Sequence, residues 1–169
     1  MGAAIAKAAA DRGADVIVVC GSVTADLSDS RFERHDVLTT KDMYDAVMKE
    51  LPRADVIIKA AAPCDFRPKK TADKKIKAGG DLTLELERTE DIAAAAGKAK
   101  GDKILVIFAA ETGNAESYAK DKLKKKNADM VVATDVSLAG AGFGTDTNIA
   151  TIITRDKTEE LPLMTKREL

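Results

Sequence analysis

The stretch Ala54 to Gly80, ADVIIKAAAPCDFRPKKTADKKIKAGG, decides how the rest of the chain is read. Asp55 to Ala60 is a short apolar run rich in Val and Ile, the pattern of a strand buried on both faces of a parallel sheet. Ala60, Ala61 and Ala62 follow at its carboxyl end. An open α/β sheet binds its ligand there, and small residues let the ligand reach the backbone. Pro63 ends the strand, and Asp65 precedes a segment carrying Lys69, Lys70, Lys74, Lys75 and Lys77. A carboxylate and a cationic loop beside a strand end suit a nucleoside triphosphate with a divalent metal. The carboxylate anchors ribose or metal, and the ammonium groups hold the phosphates. Taken alone, the same composition equally describes a solvated lysine-rich surface loop.

Toward the N-terminus, Thr39 or Thr40 is placed to cap a helix running to about Leu51, with Met43, Val47 and Leu51 on one face and Pro52 after it. Arg31 to Val37 reads as a short strand, and Asp15 to Cys20, DVIVVC, as a buried one. Gly2 to Arg12 is a helix with Gly13 as its C-terminal cap. Toward the C-terminus, Leu82 to Leu86 alternates as a half-exposed strand or hairpin arm, and Thr89 caps a helix with Glu90 and Asp91 in its first turn. Ile104 to Ala110 is a buried strand ending at Glu111, Ala115 to Lys126 an amphipathic helix, and Met130 to Ala133 another strand. Asp135 to Thr147 is a long glycine-rich loop, Ile149 to Thr154 the last strand, and the tail to Leu169 is amphipathic. The expected fold is a three-layer, Rossmann-like α/β domain with a mainly parallel sheet, spanning residues 1–169 as one domain.

Composition narrows the function. The chain has 169 residues and net charge −1, so no global basic field argues for nucleic acid, and a small anionic partner is expected instead. Cys20 and Cys64 are the only cysteines and His35 the only histidine. That excludes a disulfide framework, a Cys/His zinc site and a Ser-His-Asp mechanism built on a motif. No apolar run approaches the roughly 20 residues of a membrane span, so a cytoplasmic protein without membrane contact is expected.

The central stretch also resembles a known family. AAPCDFRP followed by DKKIKAGGDLTLEL is similar to the AAVADYRP…EKIKK…LTLEL run of phosphopantothenate–cysteine ligases. These form the synthetase half of the bacterial bifunctional coenzyme A biosynthesis and flavoprotein proteins. FAAET at Phe108 to Thr112, KKKNADMVVATDVS at Lys124 to Ser137, GAGFGTDTN at Gly140 to Asn148 and the final LPLMTKREL continue the match in the family's order. The resemblance implies a ligase that uses CTP and Mg²⁺ to convert the carboxylate of 4′-phosphopantothenate to an acyl-cytidylate. Cysteine then attacks, giving 4′-phosphopantothenoylcysteine, CMP and pyrophosphate. It also implies a homodimer and a flavin-dependent decarboxylase domain fused upstream. In that family a strand and a phosphate loop ending in GKMG precede the first helix, so an N-terminally incomplete ligase domain is expected here, one that binds nucleotide but makes the cysteine adduct poorly.

By the same resemblance Lys75 is the catalytic lysine, carried on a flexible strap over the triphosphate. Ala60, Ala61, Asp65, Lys75, Asp91, Ile92, Phe108, Lys122 and Lys126 line the nucleotide site, with Phe108 at the cytosine. The residues by themselves leave other readings open: Asp65 as an Asx turn, Phe108 as core, and the lysines as solvated. Four departures from the family stand beside these positions: Ala78 for Lys, Ile107 for Gly, Glu90 for Pro and Thr134 for Asn. Two other functions compete, a nucleotide-binding remnant without catalysis and an NAD(P) oxidoreductase. The second needs a GxGxxG turn after an early strand, and the nearest match, Gly140 to Gly144, falls late in the chain.

Overall fold

A computed structural model describes residues 1–77, 79–112 and 115–169. The elements run α1 (Gly2–Asp11), β1 (Val16–Cys20), β2 (Phe32–Asp36), α2 (Thr40–Glu50), a 3-10 turn (Leu51–Arg53) and β3 (Val56–Lys59). Then come β4 (Phe66–Pro68), β5 (Leu86–Arg88), α3 (Ile92–Ala99), β6 (Ile104–Glu111) and α4 (Ala115–Lys125). β7 (Met130–Asp135), β8 (Thr147–Ile153) and β9 (Thr158–Thr165) close the chain.

The architecture is mixed α/β with a mainly parallel centre. The main sheet has the order β3-β6-β7-β8-β9, in which β3, β6 and β7 are parallel and β8 and β9 form an antiparallel extension. β1 and β2 form a separate parallel ribbon, in register from Val16↔Phe32 to Cys20↔Asp36. Among the described residues, one edge of β3 and one edge of β1 pair with no strand.

Strand alternation puts Leu105, Ile107 and Ala109 of β6 into one core. Ala93 and Ala96 of α3, Ala119 and Leu123 of α4, and Val131, Ala133 and Ile153 of the neighbouring strands complete it. A second cluster joins Ala6 of α1 to Cys20 and Leu27, with Val16, Val18 and Phe32 packed against it. Small residues permit close layers. A Cβ added to Gly97 of α3 would lie 1.8 Å from the carbonyl oxygen of Lys126, so helix and chain meet there backbone to backbone. Asn127, at φ 48, fixes that crossing by donating its Nδ2 to the Gly97 carbonyl at 2.9 Å.

Helix starts follow their caps. Thr39 caps α2 in a capping box with Asp42. The cap of α3 is Asp91, whose carboxylate accepts from the Ala94 amide at 2.9 Å, and not Thr89. Thr89 is instead turned back, donating its hydroxyl to the Cys64 carbonyl at 2.6 Å. Two further expectations shift. The strand expected at Leu82 to Leu86 lies later, at Leu86–Arg88, where it pairs antiparallel with Phe66–Pro68. The tail is a true strand, β9, whose register against β8 slips between Asn148 and Ala150. Pro162 sits in β9, as proline does on an edge strand.

Asn148 is buried and bridges two elements. Its Nδ2 donates to Thr134 Oγ1 at 2.9 Å, and its Oδ1 accepts from the Gly142 amide at 3.0 Å, tying the glycine-rich loop to β7. Asn148→Ala is expected to cost about 1–3 kcal/mol, because the Thr134 hydroxyl and the Gly142 amide lose their partner in a buried place. Denaturant unfolding monitored by circular dichroism measures it.

Candidate functional site

The carboxyl ends of β3 and β6 bring most of the expected residues together. Ala60 follows β3 directly, and a Cβ added to Gly2 would be 3.8 Å from the Ala60 Cβ, so α1 begins beside it. Ala61 and Asp65 are exposed on the segment leaving the strand. Phe108 is half-buried on β6, on the face opposite its buried neighbours Ile107 and Ala109. Ile107 therefore points into the core and not toward whatever Phe108 meets. Its bulk does not narrow the Phe108 side.

Lys122 and Lys126 are not free cations. Lys122 is ion-paired with Glu111, the last residue of β6, and Lys126 with Asp91 at the start of α3. Ile92 is buried under that helix start. Burial raises the Asp91 carboxyl, but the Lys126 ammonium, the Ala94 amide and the more distant Lys59 outweigh it and hold the group below the usual carboxylate range. Because Asp91 itself occupies the Ala94 amide, that donor of the helix start is already satisfied.

Lys59 was hidden in the sequence by the apolar run it ends. It is half-buried, pairs with Ile107 in register, and donates Nζ to the Ala61 carbonyl at 3.1 Å. Burial pushes its ammonium below the usual lysine value, opposed by Asp91 and Asp65 and reinforced by Lys122 and Lys126. The available signal was a lysine inside an apolar run, a residue type seldom buried without a partner.

The lysine-rich segment is the tip of a ribbon. β4 and β5 hold its base through Arg67 and Glu87, 2.8 Å apart, and through the Lys69 amide donating to the Glu85 carbonyl at 3.0 Å. Arg88 lies over the Phe66 ring, 5.0 Å from its centroid. Beyond that base Lys69, Lys70, Lys74, Lys75 and Lys77 are all exposed and carry no regular structure. Ala78 lies outside the described residues.

The remaining polar clusters are accounted for. Cys64 is exposed and Cys20 buried, with burial pushing the Cys20 thiol up. His35 is half-buried, its Nε2 3.2 Å from Glu33 and 3.7 Å from Glu50. These three groups have metal-ligand spacing, but Arg53 already donates to both carboxylates, at 2.7 Å to Glu33 and 3.0 Å to Glu50. That is a neutralised ion-pair network joining β2 to the end of α2.

The family model for the DNA/pantothenate metabolism flavoprotein C-terminal domain matches residues 1–169. The chain belongs to that family. It is 46% identical over 171 residues to the coenzyme A biosynthesis bifunctional protein CoaBC of Bacillus subtilis, covering 100% of this chain and 42% of that one. With the protein of the same name from Escherichia coli it shares 39% over 175 residues, again 100% of this chain and 43% of the other. The chain thus spans less than half the length of these relatives. A crystal structure of the C-terminal domain of CoaBC superposes with a TM-score of 0.80 at 38% identity, over 98% of this chain and 74% of that one. A flavoprotein structure from Streptococcus pneumoniae, at 16% identity and the same TM-score of 0.80, shares the fold. No described helix is long and apolar enough to cross a membrane.

Of the departures named above, Thr134 and Glu90 have the following surroundings. Thr134 is the buried acceptor for Asn148. Glu90 has a buried Oε2 that makes no hydrogen bond, with Arg67 Nη1 at 3.6 Å across the ribbon base.

Proposed function

We propose that this chain is the nucleotide-using ligase part of a coenzyme A biosynthesis enzyme, acting on CTP, 4′-phosphopantothenate and cysteine in the cytoplasm as a homodimer. One observation carries the reading. Lys59, Lys122, Lys126, Asp91 and Asp65 gather at the carboxyl edge of a parallel sheet, in a chain matched along its whole length by this family. Small residues at Ala60 and Ala61 admit the nucleotide to the backbone, and Phe108 supports its base. In the first half-reaction a 4′-phosphopantothenate carboxylate oxygen attacks the α-phosphorus of CTP and pyrophosphate leaves with the electron pair of the broken P–O bond. In the second, the cysteine amine attacks the acyl carbon, CMP leaves, and the amine's proton passes to solvent. Neither step needs an enzyme nucleophile. What the chain supplies is position and positive charge, with Lys75 meeting the charge that grows at the α-phosphate.

Magnesium fits this donor set. It is held by one or two carboxylates together with substrate phosphates, and it neutralises triphosphate charge. Asp65 is exposed at the strand end, whereas Asp91 is committed to Lys126 and the Ala94 amide. Asp65 is therefore the residue that would hold it.

A relative named cysteine/cysteine sulfinic acid decarboxylase is 43% identical over 172 residues, but this chain covers only 48% of it. The oxidoreductase reading loses its motif: Gly140 to Gly144 lies between β7 and β8, which are antiparallel, and opens no helix. Calorimetric titration separates the readings. CTP with Mg²⁺ is expected to bind saturably and NADPH not to bind; the reverse result would overturn the ligase assignment.

A further inference from the structure

Lys59 occupies a place that a structural lysine seldom takes. It stands at the last position of β3, on the same face as Ile57, which packs against the main core, and level with Ile107 of the adjacent strand. Among the described residues no carboxylate lies within ion-pair distance of it. Among the described residues its one hydrogen bond goes to the carbonyl of Ala61, at 3.1 Å. Lys122 and Lys126, by contrast, are each closed by a carboxylate, Glu111 and Asp91. A half-buried ammonium satisfied by one carbonyl retains two further N–H donors and, among the described residues, has no ion-pair partner. Such a group gains most when an anion arrives, because the desolvation cost has already been met in the empty protein.

We propose that Lys59 is an anion-binding residue of this site, donating to a phosphate oxygen of the bound nucleoside triphosphate. The inference rests on the nucleotide site proposed above. Three features favour a phosphate oxygen as the acceptor. The ammonium lies close enough to Asp65, Asp91, Lys122 and Lys126 to feel all four charges. Its anchor, the Ala61 carbonyl, belongs to the small-residue strand end that a nucleotide would approach. Its burial lowers the ammonium's proton affinity, the expected state of a cation waiting for a counter-charge. The simpler role would be to tie the Ala61 carbonyl to the strand end, and such a role predicts lost stability without any change in ligand preference.

The test compares wild type, Lys59→Met and Lys59→Arg by calorimetry with three probes: CTP with Mg²⁺, inorganic tripolyphosphate and cytidine. Methionine keeps the apolar stem and removes the charge, and thermal melts report whether folding is kept. Lys59→Met is expected to weaken CTP and tripolyphosphate by about 10- to 100-fold, the range for losing one charged hydrogen bond, while cytidine is unchanged and Lys59→Arg recovers most of the loss. Wild-type affinity for CTP in Lys59→Met would overturn the inference and leave the ligase reading standing. Equal weakening for cytidine, or a loss of stability with unchanged polyphosphate binding, would also overturn it, in favour of the strand-end tie. If wild type bound tripolyphosphate but not CTP, and Lys59→Met lost it, the ligase reading would fall while the anion site remained. Wild type binding none of the three would overturn both.

Discussion

Lys75→Gln is expected to lower the rate of pyrophosphate release by about 10²–10³ while changing CTP affinity only a few fold. The strap leaves its ribbon base at Lys69 and returns at Glu85, and Lys75 sits on it exposed, with no ion pair or side-chain hydrogen bond among the described residues. A side chain so placed contributes little to holding ground-state nucleotide, since ordering it costs side-chain entropy comparable to what one exposed contact returns. Its contribution grows when negative charge concentrates on the α-phosphate, and that is a transition-state effect. Pyrophosphate release with CTP, 4′-phosphopantothenate and cysteine, set beside calorimetric CTP affinity, separates the two terms. Turnover equal to wild type would remove this lysine from the chemistry, and a parallel loss of affinity and rate would make it a ground-state binder.

Gly97→Ala is expected to be the most damaging single methyl group in the fold. The added Cβ would meet the Lys126 carbonyl oxygen at 1.8 Å and its carbonyl carbon at 2.9 Å, both of them backbone, with a Leu105 methyl at 3.4 Å. Helix propensity favours Ala over Gly by about 1 kcal/mol, so an open position would gain stability. Here the clash dominates, because backbone cannot rotate away as a side chain would. A cost of about 3 kcal/mol or more follows from overpacking. For a chain of this size that lowers Tm by about 10 °C. The relaxation would push Lys126 away from α3, so the Asp91 pair should open with it. Calorimetric melts and CTP titration on the same variant check both effects. An unchanged melting temperature would mean that the α3 crossing is looser than described.

Much of the fold was legible because DVIVVC, DVIIKA and ILVIFAA are apolar runs with abrupt polar ends, and each became a strand, but β3 is not buried on both faces as expected: it is an edge strand whose Val56 and Ile58 are 48% and 42% exposed. Thr89 was misread as a cap because a threonine before an acidic pair fits the capping pattern as well as Asp91 does. Which oxygen reaches an amide is settled only in three dimensions. β9 was missed because Pro162 breaks the alternation, and its pairing to β8 absorbs a register slip no local pattern reports. The resemblance proposes Lys122, Lys126, Asp91 and Asp65 as site residues, but no local pattern reports that Glu111 and Asp91 neutralise the two lysines from 11 and 35 residues away. Lys59 was not singled out because period-two reading treats the last residue of a strand as its end.

The ribbon base has a consequence for how freely the strap can vary. β4 and β5 pin both ends of residues 69–85 at neighbouring strands, so the segment is a closed loop whose ends do not separate. The entropy of closing such a loop rises only as the logarithm of its length, so each doubling costs only about 0.6 kcal/mol. The lysines on it are therefore tethered to one ribbon base. Spacing within the tip is then a soft variable. A charge lost at Ala78 can be recovered at Lys74, and residues can be inserted or removed, as long as the two anchoring strands stay zipped. Cutting the loop would release its two arms from that constraint.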